Sequence, residues 1–153
     1  MDLILWRHAD AVEHSDTQLD AERPLTTKGI KQAKRMAHWL NQHLPDTTRV
    51  LVSPTLRTRQ TADALGRKYK QVAALAPDQT VEALLVAARW PDAKEPVLVI
   101  GHQATLGLAA AYLMTGTPAP WPVHKGAVWW LRVRQRATGT ELALQTVMSP
   151  DRL

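Results

Sequence analysis

A chain of 153 residues, 45% of them apolar, is long enough to bury a core in one domain and too evenly mixed to be disordered. It contains no cysteine, which excludes disulfide scaffolds, thiolate zinc sites and cysteine-nucleophile chemistry together. Nineteen Lys and Arg against fourteen Asp and Glu leave a net charge of +5, which suits an anionic partner.

The first apolar run, Leu3-Ile4-Leu5-Trp6, is too short and too closely flanked by Asp2 and Arg7 for a signal peptide or a membrane span. A single cytoplasmic domain over residues 1–153 is therefore expected. Followed at once by Arg7-His8-Ala9-Asp10, the run reads as a buried strand that delivers polar side chains at its tip. Residues 11–23 are polar and read as a loop. Thr26 or Thr27 caps a helix whose apolar face is Ile30, Ala33, Ala37, Leu40 and Leu44, and Pro45 stops it. Lys28, Lys31, Lys34 and Arg35 fall on its solvated side, and His38 and His43 ride on its surface.

Arg49-Val50-Leu51-Val52 is a second apolar strand. Ser53-Pro54 then supplies an N-cap and a proline at the first helical position, so a helix is expected from Pro54, with Leu56, Ala62, Leu65 and Tyr69 inward and Arg57 and Gln60 in its opening turns. Residues 71–81 give no clear pattern, and 81–90 suggests a short helix before Pro91. Val97-Leu98-Val99-Ile100, a third apolar strand, ends at Gly101-His102-Gln103. A helix runs on to about Met114. Alternating segments 127–134 and 141–147, joined through Thr138-Gly139-Thr140, form a hairpin. Trp121, Trp129 and Trp130 read as core or sheet packing.

Three apolar strands alternating with helices describe an α/β fold: a three-layer αβα sandwich with a mainly parallel sheet and an antiparallel addition near the C-terminus. Ligands of such sheets bind beyond the carboxyl ends of the strands. Those ends carry Arg7-His8, Ser53 with Arg57 one turn on, and Gly101-His102-Gln103.

Two histidines and two arginines gathered at one edge can perform phosphoryl transfer without a metal. The phosphoryl group carries charge on three equatorial oxygens and needs fixed cations around it and an in-line nucleophile beneath. Arg7 and Arg57 supply planar, permanently charged forks. His8, kept neutral by the neighbouring guanidinium groups, is the nucleophile, and His102 is a donor to the phosphoryl oxygens. A phosphohistidine on His8 would then be hydrolysed by water.

The segments Arg7-His8-Ala9-Asp10-Ala11, Arg23-Pro24-Leu25-Thr26, Val50-Leu51-Val52-Ser53-Pro54 with Leu56-Arg57 and Gln60-Thr61, and Val97-Leu98-Val99-Ile100-Gly101-His102 resemble the histidine phosphatase superfamily in order and spacing. The short chain and the closing Met148-Ser149-Pro150 look most like its SixA-type phosphohistidine phosphatase branch. The resemblance implies a phosphoglycerate mutase-like sandwich, His8 as the phosphorylated nucleophile, and Arg7, Arg57 and His102 as the phosphate pocket, with no cofactor. It implies Arg23 at the pocket rim and Ser53 and Gln103 as further substrate-binding residues. The expected substrate is protein phosphohistidine, with small phosphate esters as the alternative; neither nucleic acid nor membrane is an expected partner, and a monomer is favoured. In two places the chain departs from the family. Ala9 stands where a glycine usually follows the nucleophile, and the nearest counterpart of the acid that protonates the leaving oxygen is Glu82. Asp10 would orient backbone or Arg57.

Two other readings stay open in the sequence. His8, Asp10 and His102 could ligate a hydrolytic metal, although no spaced ligand motif accompanies them. The chain could also bind phosphate or a phosphopeptide without turning it over. A Gly-rich P-loop and the usual nucleic-acid motifs are absent.

Overall fold

A computed structural model describes residues 1–153. Six strands, β1 (Asp2–Arg7), β2 (Arg49–Val52), β3 (Lys70–Gln71), β4 (Val97–Gly101), β5 (Val128–Arg136) and β6 (Gly139–Met148), form one sheet in the order β3-β2-β4-β1-β5-β6. β3, β2, β4 and β1 are parallel neighbours, and β5 and β6 extend the sheet antiparallel beyond β1. The expected architecture is present, with the hairpin turning at residues 137–138 rather than through Gly139.

Alternation along the inner strands divides their side chains between two helical layers, as a pleated strand buried on both faces requires. Ile4, Trp6, Val50, Val52, Leu98 and Ile100 pack under α1 (Thr27–His43) and α2 (Leu56–Asp63), against Met36, Leu40 and Leu65. Leu3, Leu5, Leu51, Val97 and Val99 face the opposite layer, α3 (Val81–Ala87) and α4 (Gln103–Thr115), against Leu84, Leu106 and Ala110. At the start of β1, the Asp2 carboxylate accepts two bonds from the Arg132 guanidinium directly opposite and one from Trp130 Nε1, locking the β1–β5 register.

The helix boundaries carry two corrections. Thr26 caps α1, its hydroxyl accepting from Gly29 N at 3.0 Å. Ile30, however, lies outside the buried face, which is Gly29, Ala33, Met36, Ala37 and Leu40. The helix is rotated toward its glycine because the Asp10 backbone crosses there: a methyl group on Gly29 would stand 2.0 Å from the Asp10 carbonyl oxygen. The second helix begins at Leu56 with Thr55 as N-cap rather than at Pro54, and it ends before Leu65 and Tyr69. Its buried residues are Arg57, Thr58, Thr61 and Ala62: Ala62 joins the apolar core, while Arg57 and Thr61 are spent on polar bonds to Asp20 and to the Ala9 amide.

The solvated side of α1 carries Lys28, Lys31, Lys34 and Arg35 and no carboxylate. Like charges at i, i+3 and i, i+4 cost a helix about 0.2–0.5 kcal/mol per pair, and Lys28 opposes the positive end of the helix dipole. The helix is held by its packed face and cap, not by its charges.

Gly29→Ala should force the α1 N-terminus and the Asp10 segment apart. Overpacking of this kind costs about 1–3 kcal/mol, or roughly 3–10 °C in Tm for a domain of this size, read by thermal denaturation.

Candidate active site

The site follows from strand register. Trp6, Ile100 and Val52 stand level on β1, β4 and β2, so the chain leaves the three central strands at one height. The His8 amide continues the ladder by donating to the Gly101 carbonyl, and the Ser53 amide donates to the Ile100 carbonyl, each at 3.1 Å. The His8 and His102 rings therefore meet, with centroids 5.4 Å apart. Both histidines are 6% exposed, set just beneath the surface rather than in the apolar core.

The His8 Nδ1 lies 2.7 Å from the Ala9 carbonyl oxygen, which only accepts, so Nδ1 carries the proton and Nε2 keeps its lone pair. Burial, reinforced by the charges of Arg57, Arg7 and Arg23, pulls the His8 imidazole down to about 4 against the modest opposing effect of that hydrogen bond. His102 falls to about 3 through burial, the neighbouring His8 and the charges of Arg57 and Arg7, with Asp20 opposing. Its Nε2 is 2.8 Å from Ser53 Oγ, and Arg57 Nη2 approaches its Nδ1 at 3.5 Å.

Arg57 projects from the first turn of α2 and is buried. Its two terminal nitrogens donate to Asp20, one to the backbone carbonyl at 2.8 Å and one to Oδ2 at 3.0 Å. Arg23 donates from Nε to the other Asp20 carboxylate oxygen at 2.9 Å and from Nη1 to the Val12 carbonyl. One carboxylate thus ties together the two cations and folds the 11–23 loop over the pocket. Burial works to raise the Asp20 carboxyl, but the Arg23 and Arg57 hydrogen bonds and charges outweigh it and hold it below the usual carboxylate value.

Arg7 donates to the Val123 carbonyl at 2.8 Å and to Gln103 Oε1 at 3.5 Å. Gln103 is occupied at both ends of its amide, Nε2 donating to the Trp121 carbonyl and Oε1 accepting from Val123 N. The Nε atoms of Arg7 and Arg57 are buried without a protein acceptor. Buried donors of this kind are normally satisfied, and two of them flanking unprotonated imidazoles fit a bound oxyanion.

The structure therefore brings Arg7, His8, Arg57 and His102 together, with Arg23 joined to them through Asp20. Ser53 and Gln103 are present, but their polar atoms are spent on His102 and on Arg7 with the 121–123 segment. Glu82 is an exposed first-turn residue of α3 that makes no hydrogen bond to any of these groups. Asp10 does not orient Arg57. Its Oδ2 accepts from Thr26 and its Oδ1 from Lys125, which also removes it from any metal set with the two histidines. Ala9 turns its methyl into a small apolar cluster with Leu25 and Ala33, and its amide donates to Thr61 Oγ1, whose hydroxyl donates in turn to the Arg57 carbonyl.

Sequence reasoning missed Asp20 and, although Gln60-Thr61 carries part of the family resemblance, gave Thr61 no role. Asp20 has one local signal, its i, i+3 spacing to Arg23, which does not reveal Arg57 thirty-seven residues away. Thr61 sits one turn beyond Arg57 on α2.

Fold and pocket define a class of molecule: an α/β protein that sets two buried imidazoles among arginine side chains at the carboxyl ends of its central parallel strands. The chain belongs to the histidine phosphatase superfamily, branch 1, whose family model matches residues 3–84. It is 35% identical over 128 residues to the phosphohistidine phosphatase SixA of Escherichia coli (strain K12), covering 78% of each chain. The structure of the protein histidine phosphatase SixA complexed with tungstate superimposes with a TM-score of 0.74 at 29% identity, covering 99% of both chains. A putative phosphohistidine phosphatase SixA from Nakamurella multipartitia gives 0.74 at 28% identity over 97% of this chain and 95% of that one. The protein is thus a histidine phosphatase with the phosphoglycerate mutase-like fold.

Three outcomes test the electrostatics. The unfolded chain takes up protons near histidine's ordinary 6.5, whereas native His8 and His102 do so only near 4 and 3. Between these values the unfolded state binds more protons, so native stability should fall as pH drops from about 6.5 toward 4. Imidazole NMR shifts of both rings should still report the neutral form at a pH of about 5.5; a His8 midpoint near 6.5 would refute the burial account. Asp20→Ala should free Arg57 and Arg23 for an incoming anion and tighten orthophosphate binding by about fivefold, the worth of one partly exposed ion pair, measured by calorimetry.

Proposed function

We propose that this phosphatase removes the phosphoryl group from protein phosphohistidine, through a covalent intermediate on His8 and without a metal. The observation that carries the reading is the His8 tautomer: Nδ1–H is committed to the Ala9 carbonyl at 2.7 Å, which leaves the Nε2 lone pair as the only nucleophilic atom of the ring. Its likeness to the phosphohistidine phosphatase SixA supports the substrate.

Arg7 and Arg57 hold the equatorial oxygens, using the Nε–H groups that have no protein acceptor. Arg57 exchanges Asp20 for the phosphoryl group, while Gln103 keeps Arg7 aimed and Ser53 keeps His102 upright. His8 Nε2 attacks phosphorus as the P–N bond to the substrate imidazole breaks, and the electron pair of that bond leaves with the substrate ring, which takes up one proton. As the dianion enters, it favours protonation of His102, whose Nδ1–H then donates to a phosphoryl oxygen. Water next attacks phosphorus, the P–N bond to His8 breaks, and orthophosphate and neutral His8 are restored.

An imidazole departs with less proton donation than an alkoxide does, so the reaction does not depend on a strong acid at the pocket. That no carboxylic acid is hydrogen-bonded to His8 or His102 favours phosphohistidine over phosphate esters for this reason. Asp20, ionised and paired with two arginines, is better suited to accept a proton from the attacking water than to donate one. No helix of the chain is long and apolar enough to cross a membrane, and we place the enzyme in the cytoplasm as a monomeric single domain acting on signalling phosphoproteins.

His8→Ala should abolish turnover of a phosphohistidine protein and the acid-labile ³²P label on the enzyme, with an unchanged circular dichroism spectrum. Arg57→Ala should lower kcat/KM by about 10²–10³, as the loss of one preorganised oxyanion donor does. Retention of label in His8→Ala would move the nucleophile elsewhere.

A further inference from the structure

Outside the pocket, the most unusual charge distribution belongs to α1. Its four cations, Lys28, Lys31, Lys34 and Arg35, face no carboxylate on the helix, and none of the five ion pairs of the chain involves it. Lys28, Lys31 and Arg35 follow one another at i, i+3 and i+7, a single row about 10 Å long. This row lines a depression of about 400 Å³ that shares Lys28, Gln32, Pro150 and Asp151 with a second one of about 450 Å³. The second depression reaches Arg7, whose guanidinium belongs to the phosphoryl pocket, and includes Lys125. A continuous basic groove therefore runs from the pocket along α1.

We infer that this groove is a docking surface for an acidic face of the phosphoprotein substrate, seated beside the phosphohistidine it presents. The inference rests on the phosphohistidine reading and adds to it where the rest of the partner lies. Five cations, Arg7, Lys28, Lys31, Arg35 and Lys125, stand against two carboxylates, Asp10 and Asp151, so the groove attracts anions overall. The chemistry of the lining selects among anionic partners. The two interspersed carboxylates oppose a continuous phosphate backbone or a sheet of anionic headgroups, and with His124 as its one ring and no Phe, Tyr or Trp, the lining lacks the run of aromatic side chains on which successive bases stack. A protein face brings discrete carboxylates to the lysines and its own donors to Asp10 and Asp151. Pairing across this surface also relieves the mutual repulsion of the α1 cations, none of which forms an ion pair in the free protein.

The test uses two synthetic phosphohistidine peptides of about 20 residues, long enough when extended to reach from the pocket past Arg35. One carries four glutamates on one flank and the other has glutamine at those positions. They are compared with 4-nitrophenyl phosphate on the wild type and on K28E/K31E/R35E, with K28Q/K31Q/R35Q as the milder variant should charge reversal impair folding. The wild type should prefer the acidic peptide by roughly tenfold in kcat/KM, about what three screened ion pairs supply together. The preference should vanish in either variant and at about 0.5 M salt, while aryl phosphate turnover stays unchanged. Equal kcat/KM for the two peptides on the wild type, or a preference that survives both variants, overturns the docking surface. If aryl phosphate is turned over but neither peptide is, the phosphohistidine reading fails instead. Fluorescence anisotropy with the unphosphorylated acidic peptide then decides the groove: tighter binding to the wild type than to the variants supports it, and equal binding overturns it. Labelled duplex DNA or anionic vesicles binding more tightly than that peptide would assign the groove to another class of partner and likewise overturn the inference.

Discussion

Everything in this molecule depends on three parallel strands ending level. A parallel ladder fixes the height of one strand against the next through its backbone hydrogen bonds, and side-chain alternation fixes which face each residue meets. With Trp6, Ile100 and Val52 in line, residues distant in sequence leave the sheet at neighbouring points, and two imidazoles come to a centroid separation of 5.4 Å without any dedicated scaffold. A slip of one residue would exchange the core faces of β1 as well as misplace His8. The burial of Leu3 to Trp6 therefore guards the site: the apolar side chains that make the core also hold the catalytic register.

The pocket built on that register is cationic, and its charge is managed in two ways. Burial keeps the imidazoles neutral, so the guanidinium groups are the only fixed positive charges facing an incoming phosphoryl group. Asp20 answers two of them. Its carboxylate is shared between Arg23 and Arg57, and the backbone carbonyl of the same residue accepts a further bond from Arg57. A polar loop without regular structure over most of its length is thereby given a defined position beside Arg57.

The sequence made the strands legible because they are apolar runs with polar residues placed immediately after them, a pattern that burial on both faces demands. The four central residues were legible for the same reason, since each lies at or one turn beyond a strand tip. Misreadings arose where a tertiary contact overrode a local preference. Ser53-Pro54 has the form of a helix start, but the Ser53 hydroxyl is engaged by His102 and the helix opens later. Ile30 has the right spacing for a core residue, but the close passage of Asp10 across Gly29 rotates the face away from it. The inward side of α2 carries arginine and threonine, so no apolar period could mark it. Asp20 lay beyond sequence reasoning because its partner Arg57 is supplied by a different layer of the fold.

The shared carboxylate also bears on how the reaction ends. In the resting enzyme Arg57 already holds an anion, one tethered to the same chain and so present at an effective concentration in the millimolar range or above. Filling the pocket is therefore an exchange of anions rather than the neutralisation of a bare cation, and the same exchange runs backward once orthophosphate has formed. On the proposed mechanism Asp20 then reclaims the guanidinium and expels the product, so a site with enough positive charge to grip a dianion is spared becoming a trap for it.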